Sequence, residues 1–504
     1  MTFTGRLGSS SRPVRVAIIG AGPSGFYAAG ALLQQKDAHV SIDLFDRLPT
    51  PYGLVRYGVA PDHQKIKSVT RIYERTMKDS RVRYFGNVDL GADITHAELK
   101  SHYDQIVYAV GAQSDKRLGI PGEDLKGSFS ATEFVAWYNG HPDFRHFSFD
   151  LSVESVAVIG VGNVAMDVTR ILAKSVAELE TTDITDYALE ALRDSNVKRI
   201  HIFARRGPVQ AKFTNPEIKE LGELEIADVI VNPADLVLDD ASQAEMEGDR
   251  TARRNLETLQ ALAERGSTGK PKQVIFHFLR SPTEISGPAG AVSAMTTEKN
   301  ALQATETGYV ACRGIGTFAE YDVGLVFRSI GYRGVPIPGV PFHDRWGIIP
   351  NEKGRVTAEH GGAVVPGEYT VGWAKRGPTG VIGTNKPDAV ETVKLMMEDV
   401  KNAAASVPGD PAAANSSGSQ VCPSPNARQM RSAQDKTDGH GRPSDIVPLL
   451  QKKGVPYVSF ADWQILEQIE NERGALRGQP RVKITDVDEM LRLIQSAKAE
   501  PVLP

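Results

Sequence analysis

Short, mainly apolar runs of five or six residues set the rhythm of the first half of the chain. Val14–Ile19 predicts a strand. Gly20-Ala-Gly-Pro-Ser-Gly25 comes next as a turn, and Phe26–Leu33 predicts a helix. Val40–Phe45 predicts a second strand, ending at Asp46. Strand, glycine turn, helix and strand make one βαβ unit. The same order returns 140 residues later. Ser155–Ile159 predicts a strand, Gly160-Val-Gly-Asn-Val-Ala165 a turn and Met166–Leu172 the start of a helix. Further helical segments lead to Arg193, and Arg199–Phe203 predicts the next strand. Two copies of one nucleotide-binding unit are therefore expected. From Ala403 to Gly441 the pattern lapses into Ala, Ser, Pro, Gly and Asn, which predicts a flexible linker or surface excursion. Beyond it, Ile446–Leu450, Tyr457–Ile469 and Val482–Ile494 regain enough amphipathic pattern to pack, either docked back or standing apart. No short-period repeat suggests a solenoid.

The two glycine loops have different residues downstream. In the first, Gly20 permits a tight turn, Gly22 lets the backbone approach a pyrophosphate and Gly25 lets helix and strand pack closely. The helix start supplies free N–H groups and a positive dipole for phosphate. Asp46 then stands where an acidic residue accepts hydrogen bonds from the ribose hydroxyls of an adenosine. This loop suits FAD. The second loop has Ala165 as its third small residue, which the fingerprint allows. Its next strand ends in Ala204-Arg205-Arg206-Gly207, with two cations where a ribose-binding acid would stand. Arginine offers planar, charge-assisted donors that match a 2′-phosphate. This loop suits NADPH rather than NADH. A chain holding both cofactors has hydride transfer from nicotinamide to flavin as its natural reaction.

Composition narrows the alternatives. With 504 residues, two to four domains are expected. Hydrophobic residues make up 41% and charged residues 24%, ordinary for a globular protein. The net charge of −4 gives no drive toward nucleic acid or an anionic membrane. The two cysteines, Cys312 and Cys422, cannot form a C-x-x-C pair or hold an iron–sulfur cluster between them. Electrons must therefore be carried by an organic cofactor or leave for another protein. No apolar stretch is long enough to span a membrane. The first 13 residues carry Arg6 and Arg12 without an apolar run, so no secretory signal is expected and the cytoplasm is the default location.

The segment Pro49-Thr-Pro-Tyr-Gly-Leu-Val-Arg-Tyr-Gly-Val-Ala-Pro-Asp-His63 resembles the adrenodoxin reductase family, NADPH–ferredoxin reductases built on a glutathione-reductase-like fold. Further similar segments occur in order. They are Ile120–Glu123, Phe134–Gly140, Gly160–Asp167, Arg205–Gln210, Phe213-Thr214 with Glu217, Phe278–Pro282, Ser329–Tyr332 and Gly372–Ile382. The resemblance runs from Val14 to Val400 and, more loosely, over Trp463 to Leu491. It implies an α/β fold of two Rossmann-like dinucleotide-binding domains, with the NADPH domain inserted into a discontinuous FAD domain. The expected boundaries are 14–112 and 327–402 for FAD, 113–326 for NADPH, 403–441 for the linker and 442–504 for a small C-terminal element.

The resemblance also assigns residues. Ser24, Asp46, Leu54, Val88, Trp373, Gly380, Val381 and Ile382 are expected at FAD. Independently, Pro378 and Gly380 predict a turn after which Val381 opens a helix whose N–H groups favour an anionic reduced flavin. Gly162, Asn163, Val164 and Ala165 are expected at the NADPH pyrophosphate, Arg205 and Arg206 at its 2′-phosphate. Glu217 and Gly380 are expected on the nicotinamide side. His63, Asp167 and Glu217 are the candidates for proton handling, His63 because imidazole titrates near neutral pH. Ordinary roles compete: a structural hydrogen bond for His63, a carboxylate in the first turn of its helix for Asp167, a solvated helix start for Glu217. No metal is called for. The acceptor the family implies is a ferredoxin-type iron–sulfur protein, with Arg253 and Arg254 as docking cations or simply a solvated helix face. The alternatives are an NADPH diaphorase, another flavin oxidoreductase, or a non-catalytic nucleotide-binding flavoprotein. A disulfide reductase lacks its cysteine pair, a glutamate-synthase-like subunit its cysteine-rich segments, and a flavin monooxygenase would not share the Pro49–His63 segment. Oligomeric state and physiological direction are not set by the sequence.

Overall fold

In the computed structural model, residues 6–306, 309–405 and 445–499 are described, with 437–438 and 442–443. The first sheet has seven strands with Val14–Ile19 near its middle. Val40–Phe45 and then Val82–Phe85 lie parallel on one side, Gln105–Tyr108 and then Val364–Thr370 on the other. Arg355–Thr357 and Asn351–Glu352 extend that second edge antiparallel. The second sheet has six strands, all parallel, in the order Ser128–Ser130, Leu325–Arg328, Ser155–Ile159, Arg199–Phe203, Lys272–His277, Ala227–Val231. Each sheet carries a glycine-loop strand near its centre, where both faces are covered; this is why residues 16–19 and 156–159 read as unbroken apolar runs.

The second sheet is thus built wholly from residues 128–328, between two pieces of the first. The chain crosses over at Ser114–Asp115 and returns at Tyr332–Arg333, and these two short strands pair antiparallel. The expected boundary between 326 and 327 needs correction. It falls inside Leu325–Arg328, which is hydrogen-bonded to Ser155–Ile159 and belongs to the second unit.

Helices cover one face of the second sheet; Met166, Ile171, Leu221 and Leu259 are among the buried residues there. The other face is covered by a three-stranded antiparallel sheet, Arg280–Ser286, Ala294–Ala304 and Val310–Asp322, through Ile285 and Met295. On the first sheet, Pro23–Leu33 packs beside the long helix Asn385–Ala405.

The terminal element docks back. Trp463, Leu466, Ile484, Met490 and Ile494 are buried in the core of the first unit, and Ile446 and Leu450 in the cluster on the sheet's opposite face. Phe460–Ala475 starts on a reciprocal cap between Ser459 and Asp462. The Glu470 carboxylate accepts two hydrogen bonds from Arg56, at 2.8 and 2.5 Å, with both groups buried. Lys483 and Lys67 share the buried Asp183 carboxylate, at 3.3 and 2.6 Å, which ties the element to the second unit as well. The linker expected over 403–441 lies almost wholly outside the described residues; its first residues, to Ala405, complete the helix from Asn385.

Candidate functional site

The same local design serves both glycine loops. At Gly20 (φ +107°) a Cβ would stand 2.4 Å from the Ala109 carbonyl oxygen; at Gly160 (φ +126°) it would stand 2.1 Å from that of Ser329. The chain leaving the neighbouring strand crosses each loop so closely that only glycine fits. Gly25 has the same constraint against the Gly20 carbonyl, at 2.1 Å. Gly22 and Gly162 cap their helices without any side-chain hydrogen bond, unlike Thr95, Ser130, Ser175 and Ser459 elsewhere. A Cβ at Gly162 would meet nothing within 4 Å. Uncapped N–H groups facing open space are the cradle an anionic pyrophosphate fits.

At the first loop the Asp46 carboxylate accepts one hydrogen bond on each oxygen, from Ala21 N–H (2.8 Å) and Leu48 N–H (3.0 Å). Burial pushes its pKa up, against those two hydrogen bonds. Lone pairs remain for ribose hydroxyls, whose donation would relieve that desolvation. Val88 donates its N–H to the Asp46 carbonyl and is itself buried. The Pro49–His63 segment crosses over the loop. Tyr52 N–H donates to the Ala21 carbonyl, and Gly53 (φ +49°) would place a Cβ 3.0 Å from Gly22 Cα. Leu54 opens the short helix Leu54–Tyr57 that comes next.

From the opposite side comes Gly372, where a Cβ would collide with Ser24 Oγ; its N–H donates to Asp388. Ser24 Oγ donates to Asn385 Oδ1 at 3.1 Å, so the two helix starts are linked. Trp373 is half-buried rather than a core residue. Its ring lies 5.2 Å from that of Tyr332 and its indole N–H donates to the Thr379 carbonyl. Gly380 (φ +79°) turns the chain, and Ile382–Thr384 forms a short 3-10 turn leading into Asn385–Ala405, so the helix starts slightly after Val381. Val381 is 55% exposed, an apolar side chain with its face uncovered.

At the second loop, Asn163 Oδ1 accepts from Thr214 N–H (2.8 Å) and the Val161 carbonyl accepts from Lys212 and Phe213 N–H. These bonds lay the helix Asn215–Gly222, with Glu217 in its first turn, beside the loop. Val164 and Ala165 lie in the first turn of Asn163–Ala173. Arg205 stands exposed and Arg206 half-buried just beyond Arg199–Phe203.

His63, Asp167 and Glu217 come together, and what gathers them is a residue the sequence did not single out. Arg170 is 1% exposed. It donates to Asp62 (2.7 and 3.1 Å), Asp167 (2.6 Å) and Glu217 (3.0 Å), and Glu220 lies 3.7 Å away. His63 Nδ1 is 3.9 Å from Asp167 and its Nε2 is 2.9 Å from Glu220. The spacing Asp167-x-x-Arg170, one helical face on an otherwise apolar helix, is the signal that would have found it. Two expectations are corrected here. Asp167 lies in the second turn, because the helix begins at Asn163 and not Met166, so a favourable dipole does not explain it. Glu217 is buried, not solvated.

Although ligand atoms of His63, Asp167 and Glu217 lie within 4.8 Å of one another, the Arg170 guanidinium already supplies the positive charge a cation would. The carboxyls of the cluster differ in how tightly each holds a proton. Burial would raise Asp62, but Arg170 outweighs it and keeps that carboxylate ionised. At Asp167 burial wins and the pKa rises. Glu217 is pushed up to about 7, by burial and then by the charge of Asp167.

That shift sets a pH dependence. A carboxyl whose folded pKa lies above its ordinary 4.5 contributes stability that is fully present below that value and lost as pH rises through about 7. Between pH 5 and pH 8 the protein should therefore lose about 2–3 kcal/mol relative to Glu217→Gln, whose amide does not titrate. Denaturant midpoints at the two pH values check this; parallel pH dependence in the two proteins would refute it.

Residues 14–223 match the family model described as pyridine nucleotide-disulphide oxidoreductase. The chain is 41% identical over 488 residues to NADPH-ferredoxin reductase FprA of Mycobacterium tuberculosis, covering 96% of this chain and 99% of that one. The chain belongs to the adrenodoxin reductase family of NADPH–ferredoxin reductases. Within this family it is also 38% identical over 495 residues to the mitochondrial NADPH:adrenodoxin oxidoreductase of Arabidopsis thaliana, with 96% of each chain covered. The structure of Mycobacterium tuberculosis FprA in complex with NADPH superposes with a TM-score of 0.84 at 42% identity, over 96% of this chain and all of that one. The adrenodoxin reductase family fold thus extends through the terminal element. Arg253 and Arg254 are exposed, on the helix Arg250–Arg265 that Asn215 ties to the Glu217 helix. Cys312 is a free thiol; Cys422 lies outside the described residues. Among the described residues no helix is long and apolar enough to cross a membrane.

Proposed function

We propose that this protein is an NADPH-dependent flavoprotein reductase that delivers electrons to a ferredoxin-type iron–sulfur protein. The observation that carries the reading is the contrast between two otherwise equivalent loops. One is followed by a desolvated acid, Asp46, and the other by two arginines without a carboxylate partner among the described residues. Bound FAD and NADPH supply hydride transfer and its onward release as single electrons. The chain supplies placement and electrostatics. Gly20, Gly22 and Gly25 admit one pyrophosphate and Asp46 its ribose. Gly162 through Ala165 admit the other, and Arg205 with Arg206 holds the 2′-phosphate. Trp373 and Gly380 to Ile382 would line the flavin, and the start of Asn385–Ala405 would lend its positive dipole to an anionic reduced form. Glu217 carries a proton on its carboxyl near neutral pH, and His63 links the buried cluster to the half-exposed Glu220. Arg253 and Arg254, exposed on the helix that Asn215 ties to the Glu217 helix, offer positive charge to an acidic partner. A cytoplasmic place of action belongs to the same proposal and rests on the sequence reading alone.

The test is coenzyme preference. Charge-assisted hydrogen bonds contribute about 1.5–3 kcal/mol each. Arg205→Ala with Arg206→Ala should lower kcat/KM for NADPH by about 10²–10⁴-fold and leave that for NADH almost unchanged. A wild-type enzyme that uses both coenzymes equally would remove the assignment.

A further inference from the structure

The hairpin of Ala294–Ala304 and Val310–Asp322 does more than cover the second sheet. Its far end reaches the turn that carries Arg205 and Arg206 and is fastened there at three points. Asn300 Nδ2 donates to the Arg205 carbonyl at 2.7 Å. Leu302 lies against Gly207, where a Cβ would be 3.5 Å from its Cδ1. Arg206 donates to the Val310 carbonyl at 3.4 Å and places its guanidinium over the Tyr309 ring, 5.2 Å from the centroid. The Tyr309 carbonyl is held in turn by Thr305, through its backbone N–H (2.8 Å) and its hydroxyl (2.9 Å). Tyr309 is 50% exposed, so its position is set by these bonds and not by a core.

We propose that Tyr309 is a positioning residue for NADPH selectivity: its ring holds one face of the Arg206 guanidinium and fixes the fork that meets the 2′-phosphate. The inference rests on the NADPH reading of the arginine pair. A long, flexible side chain loses rotamer freedom when it binds, and an aromatic face that orders it beforehand removes part of that cost. The ring also favours the charged plane electrostatically. NADH presents no 2′-phosphate and gains nothing from the arrangement.

The experiment is steady-state kinetics of the flavin-loaded enzyme with NADPH and with NADH, separating kcat from KM, together with inhibition by adenosine 2′,5′-bisphosphate. Tyr309→Ala should raise KM for NADPH and the inhibition constant about three- to fivefold, the worth of an exposed cation–π contact. KM for NADH and both kcat values should stay as they were. Tyr309→Leu, which keeps apolar bulk, should behave as alanine does, and Tyr309→Phe as the wild type. Unchanged selectivity in Tyr309→Ala and Tyr309→Leu, beside a lowered selectivity in Arg206→Ala, would overturn the proposal while leaving the NADPH reading standing. Unchanged selectivity in Arg206→Ala would bring down that reading and this proposal with it.

Discussion

Replacing Arg170 by leucine should destabilise the protein by about 3–5 kcal/mol at neutral pH, because it removes the buried cation to which the carboxyls of Asp62, Asp167 and Glu217 all bond. Lys174, 3.0 Å from Asp62, compensates only one of them. The loss should shrink in acid. In the wild type Arg170 holds Asp62 ionised well below the ordinary carboxylate range, so its contribution is still intact at pH 4. Without Arg170 the carboxyls protonate instead, and the two proteins converge. Arg170→Lys should recover part of the stability, since an ammonium keeps the charge but cannot fork to Asp62, Asp167 and Glu217 together. Denaturant unfolding at pH 7 and pH 4 measures both effects. A difference of less than about 1 kcal/mol at pH 7 would show that the cluster is not organised by this guanidinium.

Glu470→Ala should be comparably severe. Arg56 would then be left buried against the Trp463 and Tyr57 rings, 5.0 and 5.2 Å from its guanidinium, with no carboxylate in contact. A buried charge deprived of its partner costs about 3–5 kcal/mol. Glu470 also receives the Ile484 N–H at 2.8 Å, so the chain entering the last helix loosens too. The functional consequence comes from where Arg56 sits. It belongs to the segment that crosses the first glycine loop, and the variant should release FAD faster as well as unfold earlier. The pair variant Arg56→Met with Glu470→Leu should cost less than Glu470→Ala alone, because it removes both charges. Thermal unfolding and flavin fluorescence on dilution track the two readouts. If Glu470→Ala keeps its flavin and its midpoint, the terminal element does not buttress the site.

The strands that flank the loops were legible to the residue: Val14–Ile19, Val40–Phe45, Ser155–Ile159 and Arg199–Phe203 are where their apolar runs place them. Short runs closed by glycine or charge leave little room for slippage. The start of the second helix was not legible, since Asn163 and Val164 contribute no apolar period and the cap is a bare glycine. Leu325–Arg328 was divided between domains because an apolar strand does not encode its sheet; only its pairing with Ser155–Ile159 does. Glu217 sits in Asn-Pro-Glu-Ile-Lys-Glu-Leu-Gly, a pattern that reads as a solvated helix, and its burial comes from the distant Asn163–Thr214 bond. Arg170 and Glu470 were missed for a common reason. Their partners, Asp62 and Arg56, lie 108 and 414 residues away, and Glu470 stands among the other charges of Phe460–Ala475, where nothing marks it as buried.

Electrons are proposed to enter as hydride from NADPH at the second loop, reach FAD at the first and leave singly for an iron–sulfur protein. Anaerobic titration of the flavin-loaded protein with NADPH, with an oxidised ferredoxin added afterwards, tests this most directly. One equivalent of NADPH should bleach the oxidised-flavin band, NADH should do so only at far higher concentration, and the ferredoxin should restore the band as it becomes reduced. A flavin band that NADPH leaves unbleached, or bleaching by NADH at the same concentration, would contradict it.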